Sequence, residues 1–333
     1  FDTMNILKKK PKIILTRKLP DSIEIRMKEL FDTQINISDR MFSNNDLVDA
    51  LKTADIIVPT VTDKLTSEII NKASKRLKLI ASFGTGVDHI DLEAAKEKGI
   101  TVTNTPGVLS EDTADIAMAL ILAVPRRIIE GNKLVRSGYW KGWSPTGLLG
   151  HRINGKRLGI LGMGQIGQAI AKRARGFGMK IHYHNRKPVQ PLIEDELEAT
   201  YWDKLDEMIQ RIDILSVNCP HTELTHKLLN KKKLSKLNKN SYLINTSRGE
   251  IIDEKGLIEI LEEKKIAGAG LDVYENEFQI SNKLRELKNV VILPHIGSAT
   301  IEGRQAMGEK VIINIQTFVD GHTPPDKILK AMI

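Results

Sequence analysis

The sequence predicts an α/β protein of doubly wound parallel sheets, and three observations predict it. Short apolar runs alternate with amphipathic stretches along most of the chain, as strands and crossover helices do in parallel sheets. One strand–turn–helix–strand unit carries a G-x-G-x-x-G pattern, which makes its sheet Rossmann-like. The chain has 333 residues, long for one core and comfortable for two.

That unit spans residues 157–186, RLGILGMGQIGQAIAKRARGFGMKIHYHNR. Residues 158–161 are a short apolar run, suited to a strand buried on both faces. Gly162, Gly164 and Gly167 complete the pattern, and a helix is expected over 165–177. The first glycine permits the tight turn, the second admits a pyrophosphate, and the third lets helix and strand pack closely. The helix start then offers free N–H groups and a positive dipole end to the phosphates. An acid about 20 positions after the glycines would hold the ribose 2′-hydroxyl of NAD. This chain has Asn185 there, followed by Arg186 and Lys187. No carboxylate repels a 2′-phosphate, and Arg186 can pair with one through two parallel hydrogen bonds. The reading is NADP(H) preferred, with NAD(H) possible.

Composition narrows the class. The one cysteine, Cys219, rules out an internal disulfide and suits a reducing compartment. It ends the apolar run ILSVNCP, where a buried small side chain is the expected role. Net charge is +8, but the basic residues are dispersed and no basic–aromatic alternation suggests nucleic-acid binding. No apolar run is long enough to span a membrane. The start, FDTMNILKKKPK, has no signal-peptide core, and Met4 is read as the true start, so a cytoplasmic protein is expected.

In order along the chain, strands are expected at residues 13–16, 35–37, 54–59, 77–82 and 100–104, with helices at 21–31, 45–52, 67–73 and 91–98. Phe83-Gly84-Thr85-Gly86-Val87-Asp88 follows one of these strands, where open α/β sheets place ligands. Its flexible backbone could present N–H groups to a carboxylate, although an ordinary strand-to-helix turn reads the same way. A long apolar helix then starts near Ser110, a candidate N-cap, and Pro125 should kink or interrupt it. A helix so apolar should be buried between domains or against a second subunit. The following loop holds Trp140 and Trp143, suggesting an interface or pocket wall, or core packing. Beyond the dinucleotide unit, strands are expected at 212–217, 241–246, 266–274 and 290–294, with helices at 232–237, 253–264 and 301–319.

Arg248, Glu277 and His295 each lie just beyond a separate one of these later strands. In a parallel sheet those ends lie on one side, beside the cofactor crevice. Reducing a ketone needs a hydride on carbon and a proton on oxygen. The nicotinamide would supply the first and His295, as imidazolium, the second. A neighbouring Glu277 carboxylate would favour the charged ring. Arg248 would bind the carboxylate of a 2-oxo acid and polarise the adjacent carbonyl. The other seven histidines are read as structural. His182 and His184 can share a strand face, but no third ligand is evident and no metal is expected.

The stretches FGTGVDHID, LGILGMGQIGQAIAKRARGFGM, INTSRGEIIDE, AGLDVYENE and LPHIGSAT together resemble the D-2-hydroxyacid dehydrogenase family over nearly the whole chain. Through GWSPTGLLG, HYHNR and PHIGSAT the chain is most similar to its glyoxylate/hydroxypyruvate reductases. The resemblance implies a discontinuous substrate domain, residues 1–102 plus 297–333, and a dinucleotide-binding domain, 103–296, with a cleft between them and hinges near Asn104 and Pro294. It implies that Arg248, Glu277 and His295 are catalytic. It further implies that the backbone amides of Thr85 and Gly86 hold the substrate carboxylate, and that Arg248 and His295 also bind the substrate. Gln165, Ile166, Pro220, Thr246, Asp272, Gly297 and Ser298 would contact the cofactor. A homodimer is implied, with Trp143 reaching the partner's active site. Two departures stand out: Asn185 replaces the usual NAD-selecting acid, and Phe278 follows Glu277 where many members have proline. A D-lactate-type dehydrogenase is the alternative within the class, and a dinucleotide-sensing corepressor the alternative outside it.

Overall fold

A computed structural model describes residues 9–329; the expectation about Met4 lies outside them. The chain divides into two compact units, one running to Leu109 and resuming at Thr300, the other Ser110–Ala299. The divisions thus fall at Leu109 and Ala299, where the sequence reading put them after residues 102 and 296.

The first unit holds five strands: β1 (Lys12–Leu15), β2 (Asp32–Gln34), β3 (Ile56–Val58), β4 (Leu79–Ala81) and β5 (Thr101–Thr103). They form one parallel sheet in the order β2-β1-β3-β4-β5. Its central strands read IIV or LIA because both faces are covered. On one face Ile13, Leu15, Ile56 and Leu79 pack against Met307, Val311 and Ile315 of the helix Ile301–Val319. On the other, Ile14, Ile57 and Ile80 meet Leu47, Leu51 and Ile70. The strand expected at 35–37 lies earlier, at Asp32–Gln34, and Ile37 is exposed. Pairing of Lys12 with Asp32 and Ile14 with Gln34 sets the edge, overriding the local apolar pattern.

The second unit holds β6 (Arg157–Leu161), β7 (Lys180–His184), β8 (Thr200–Tyr201), β9 (Ile214–Val217), β10 (Tyr242–Asn245), β11 (Gly268–Leu271) and β12 (Val290–Ile292). The sheet is parallel in the order β12-β11-β10-β9-β6-β7-β8. Chain direction across the sheet reverses between β6 and β9, and ligands of open α/β sheets bind outside such a switch point. The helix Ser110–Ala123 covers one face, burying Ala114, Ala117, Leu120 and Ile121 against Ile160, Ile170 and Ile244. Ser110 is its first residue rather than a cap. Pro125 does interrupt the helical run: a second helix follows at Ile128–Ser137, and none of its residues is buried. Short helices at Pro191–Leu197, Leu205–Ile209 and Asn282–Glu286, and strand β8, have no counterpart in the sequence reading. Among the described residues no helix is long and apolar enough to cross a membrane.

Candidate active site

The glycine turn sits where β6 ends. Gly162 has φ +93°, and a Cβ there would lie 2.6 Å from the Cys219 nitrogen. A Cβ on Gly167 would lie 2.3 Å from the Gly162 carbonyl oxygen. Both positions exclude any side chain. Gly164 differs: a Cβ there would meet nothing within 4 Å. It is the N-cap of the helix Gln165–Gly176 and brings no side-chain cap, so the first-turn amides are left for a ligand. Gln165 is exposed, its Oε1 accepting from the Ser110 hydroxyl at 3.3 Å, and Ile166 packs partly into the helix–sheet core.

The neighbouring strand ends leave polar atoms over. Asn218 Oδ1, beyond β9, and Thr246 Oγ1, beyond β10, are buried with no hydrogen-bond partner in the protein. Such atoms are costly unless something else satisfies them. With the open Gly164 face, they fit a dinucleotide bound across the switch point. Pro220 is exposed just past Cys219.

Asn185 is turned inward. Its Oδ1 accepts from the Met163 amide at 2.8 Å, tying the end of β7 to the glycine turn. Its carbonyl accepts from the Tyr201 hydroxyl at 3.1 Å. Arg186 and Lys187 follow it on the exposed surface.

Arg248, Glu277 and His295 follow the adjacent strands β10, β11 and β12. After β10, the Asn245 side chain caps its own loop, donating to the Arg248 carbonyl at 2.9 Å and accepting from the Ser247 amide at 3.0 Å. The Ser247 hydroxyl donates to the Cys219 carbonyl, and Arg248 Nη1 donates to the Ser247 carbonyl at 2.9 Å. His295 Nδ1 lies 2.9 Å from Glu277 Oε1 and 3.0 Å from Oε2. The sequence placed these two residues at separate strand ends; the fold joins them. His295 has φ +55°, a left-handed conformation rare for non-glycine residues and found where surroundings over-determine the backbone.

Two anchors do so. Asp272, 1% exposed, accepts from the amides of Ile296 and Gly297 at 2.8 Å each. Burial pushes its carboxyl above the usual range, and those amides and His295 pull it back. On the other side the Tyr274 hydroxyl donates to the Leu293 carbonyl at 2.6 Å. The sequence reading missed Tyr274, Asn245, Ser247 and Asn218 as supports; the only local signal is a polar or aromatic residue closing each apolar strand. Ser298 is half-buried beside buried Gly297.

In the first unit, the loop after β4 holds Thr85 and Gly86. The Thr85 hydroxyl donates to the Thr105 carbonyl at 2.9 Å, and Asn104 Nδ2 donates to the Thr85 carbonyl at 2.8 Å. Trp140 and Trp143 are exposed, at 54% and 84%. His182 accepts from the Trp202 ring N–H at 3.0 Å and His184 bonds the Trp202 carbonyl at 2.8 Å, which gives both a structural role. Among the described residues, no three His, Cys, Asp or Glu side chains gather as metal ligands.

A parallel sheet with a glycine turn at its switch point, and an imidazole–carboxylate pair beside an arginine loop, defines a dinucleotide-dependent oxidoreductase. The family model for the D-isomer specific 2-hydroxyacid dehydrogenase, NAD binding domain, matches residues 118–297. A glyoxylate reductase of Thermococcus litoralis is 44% identical over 97% of this chain and 98% of its own. Among solved structures, a putative D-isomer specific 2-hydroxyacid dehydrogenase from Polaromonas is 41% identical, with TM-score 0.89, covering 96% of this chain and 99% of that one. An NADPH-dependent glyoxylate/hydroxypyruvate reductase from Sinorhizobium meliloti, in complex with NADP and malonate, is 33% identical with TM-score 0.86, covering 96% and 97%. The chain belongs to the D-isomer specific 2-hydroxyacid dehydrogenases. It is an NAD(P)-dependent dehydrogenase.

Proposed function

We propose that the protein reduces glyoxylate and hydroxypyruvate to the D-2-hydroxy acid, with NADPH preferred over NADH. The observation that carries this reading is the His295–Glu277 pair, 2.9 Å apart, beyond the strands next to Arg248. Gly162, Gly164, Gln165, Ile166 and Gly167 would hold the pyrophosphate, and Pro220, Thr246, Asp272, Gly297 and Ser298 the nicotinamide half. A bound nicotinamide supplies the hydride. Arg248 binds the substrate carboxylate and draws electron density from the adjacent carbonyl oxygen. Glu277 engages His295 Nδ1 and so fixes the ring, leaving Nε2 as the atom that carries and gives up the proton. In the first unit, the substrate domain, the amides of Thr85 and Gly86 hold the carboxylate; the second unit is the cofactor domain.

NADPH preference rests on Asn185. Its side chain is spent on the Met163 amide, and exposed Arg186 and Lys187 offer cations to a 2′-phosphate. The Sinorhizobium relative, crystallised with NADP, supports the same choice. A homodimer is supported by bare apolar surface on the helix Ile128–Ser137 and the loop beyond it: Val135 is 60% exposed, Tyr139 81% and Trp143 84%. The experiment is a steady-state panel of glyoxylate, hydroxypyruvate, pyruvate and phenylpyruvate, each with NADPH and with NADH. The two small 2-oxo acids with NADPH should give the highest kcat/KM. Equal efficiency with NADH removes the cofactor preference, and a maximum with pyruvate makes the enzyme a D-lactate-type dehydrogenase.

A further inference from the structure

The C-terminal helix of the first unit buries an asparagine. Asn314 is 0% exposed, on the helix Ile301–Val319, between buried Val311, Ile312 and Ile315. A buried amide is tolerated only when its bonds are made, and this one makes three. Its Oδ1 accepts from the Asp326 amide at 3.1 Å. Its Nδ2 donates to Asp326 Oδ2 at 3.1 Å and to the Asn104 carbonyl at 3.2 Å. The Asp326 segment is itself pinned to the end of β5. The Asn104 amide donates to the Asp326 carbonyl at 3.3 Å, Ile328 donates to the Val102 carbonyl at 2.9 Å, and Thr103 and Lys327 form an antiparallel bridge. From Asn104 the chain of bonds continues to the loop after β4. Asn104 Nδ2 donates to the Thr85 carbonyl at 2.8 Å, and the Thr105 amide donates to the Gly84 carbonyl at 2.9 Å.

We propose that Asn314, together with Asp326, is a positioning residue for the substrate carboxylate. It fixes the backbone at Asn104, whose side chain fixes the Thr85 carbonyl and thereby the direction of the Thr85 and Gly86 amides. The inference rests on the reading that this loop holds the 2-oxo acid carboxylate. A carboxylate held by backbone amides depends on where the peptide planes point, so a displaced loop weakens binding of the acid without touching the reacting groups. Nothing in the local sequence around Asn314 marks this role, because the residues it connects are more than 200 positions apart on one side and 12 on the other.

The test is steady-state kinetics of the full chain carrying Asn314→Ala, Asp326→Ala, Asp326→Asn or Asn104→Ala, with melting temperature measured for each. Asn314→Ala should raise KM for glyoxylate about tenfold, with kcat and KM for NADPH within about twofold, the pattern of binding lost equally from ground and transition states. Asp326→Ala, which leaves the helix core intact, should raise it in the same direction. Asp326→Asn keeps an oxygen for the Asn314 amide and should restore KM to within about twofold of wild type. Asn314→Ala and Asn104→Ala combined should raise KM less than the product of the single effects, because they break one path. Folded Asn314→Ala and Asp326→Ala enzymes with unchanged KM would overturn the proposal, whatever their melting temperatures. If Asn104→Ala alone raises KM, only the positioning role falls. If it too leaves KM unchanged, the carboxylate role of the Thr85 loop falls as well.

Discussion

Arg248 sits on a loop whose shape is set by Asn245, so its guanidinium is presented by a pre-formed turn. Arg248→Ala removes the planar cation that the proposed mechanism uses twice, on the carboxylate and on the carbonyl. Turnover of glyoxylate should become undetectable while the melting temperature stays near wild type; glyoxylate reduction close to wild type contradicts the role. Cys219 presents the opposite case of a reactive group kept inert. Burial pushes its thiol up to about 11, so at pH 8 the thiolate is scarce. Titration with an aromatic disulfide at that pH should leave the native enzyme unlabelled and label one thiol after unfolding. Stoichiometric labelling of the native enzyme contradicts its burial. The burial of Cys219 and the place of Arg248 beyond β10 were legible from sequence, since each residue closes an apolar run. The bonds that hold His295 were not, because Asp272 reaches the Ile296 and Gly297 amides across 24 and 25 positions.

At the scale of elements, the glycine turn makes a sharp distinction between glycines. A methyl on Gly167 would collide with backbone, 2.3 Å from the Gly162 carbonyl oxygen, whereas one on Gly164 enters open space. Gly167→Ala should therefore destabilise the protein by about 1–3 kcal/mol, the usual cost of overpacking. Gly164→Ala should melt near wild type yet bind NADPH more weakly. Denaturant melts and fluorescence titrations of the two variants check this; a destabilised Gly164→Ala or an unaffected Gly167→Ala would contradict it. The turn was readable because its geometry is encoded within a few residues. The edge strand β2 was not: the pattern at 35–37 is apolar, but Ile37 is 79% exposed and register is set by β1. The helix Pro191–Leu197 buries only Leu197, and Leu205–Ile209, though it buries Leu205, Met208 and Ile209 at helical spacing, is little more than one turn, too short for its period to stand out.

For the whole molecule, alternating strands and helices made two parallel sheets legible, and the exact divisions at Leu109 and Ala299 were left to long-range packing. The surface of the second unit carries the next expectation. A helix with no buried residue, Ile128–Ser137, continued by exposed Tyr139, Trp140 and Trp143, is apolar area that a second copy would cover. Sedimentation velocity should give a dimer, and Val135→Glu should shift it toward monomer by placing an unpaired charge in the contact. A wild-type monomer at micromolar concentration would contradict the dimer.

The account turns on the proton held at one imidazole braced by one carboxylate. The most direct measurement compares His295→Ala with wild type in glyoxylate turnover and in NADPH affinity. Turnover should fall about 10²–10⁴-fold while the NADPH Kd stays within about twofold. Turnover near wild type, or a loss explained wholly by lost coenzyme binding, would contradict it.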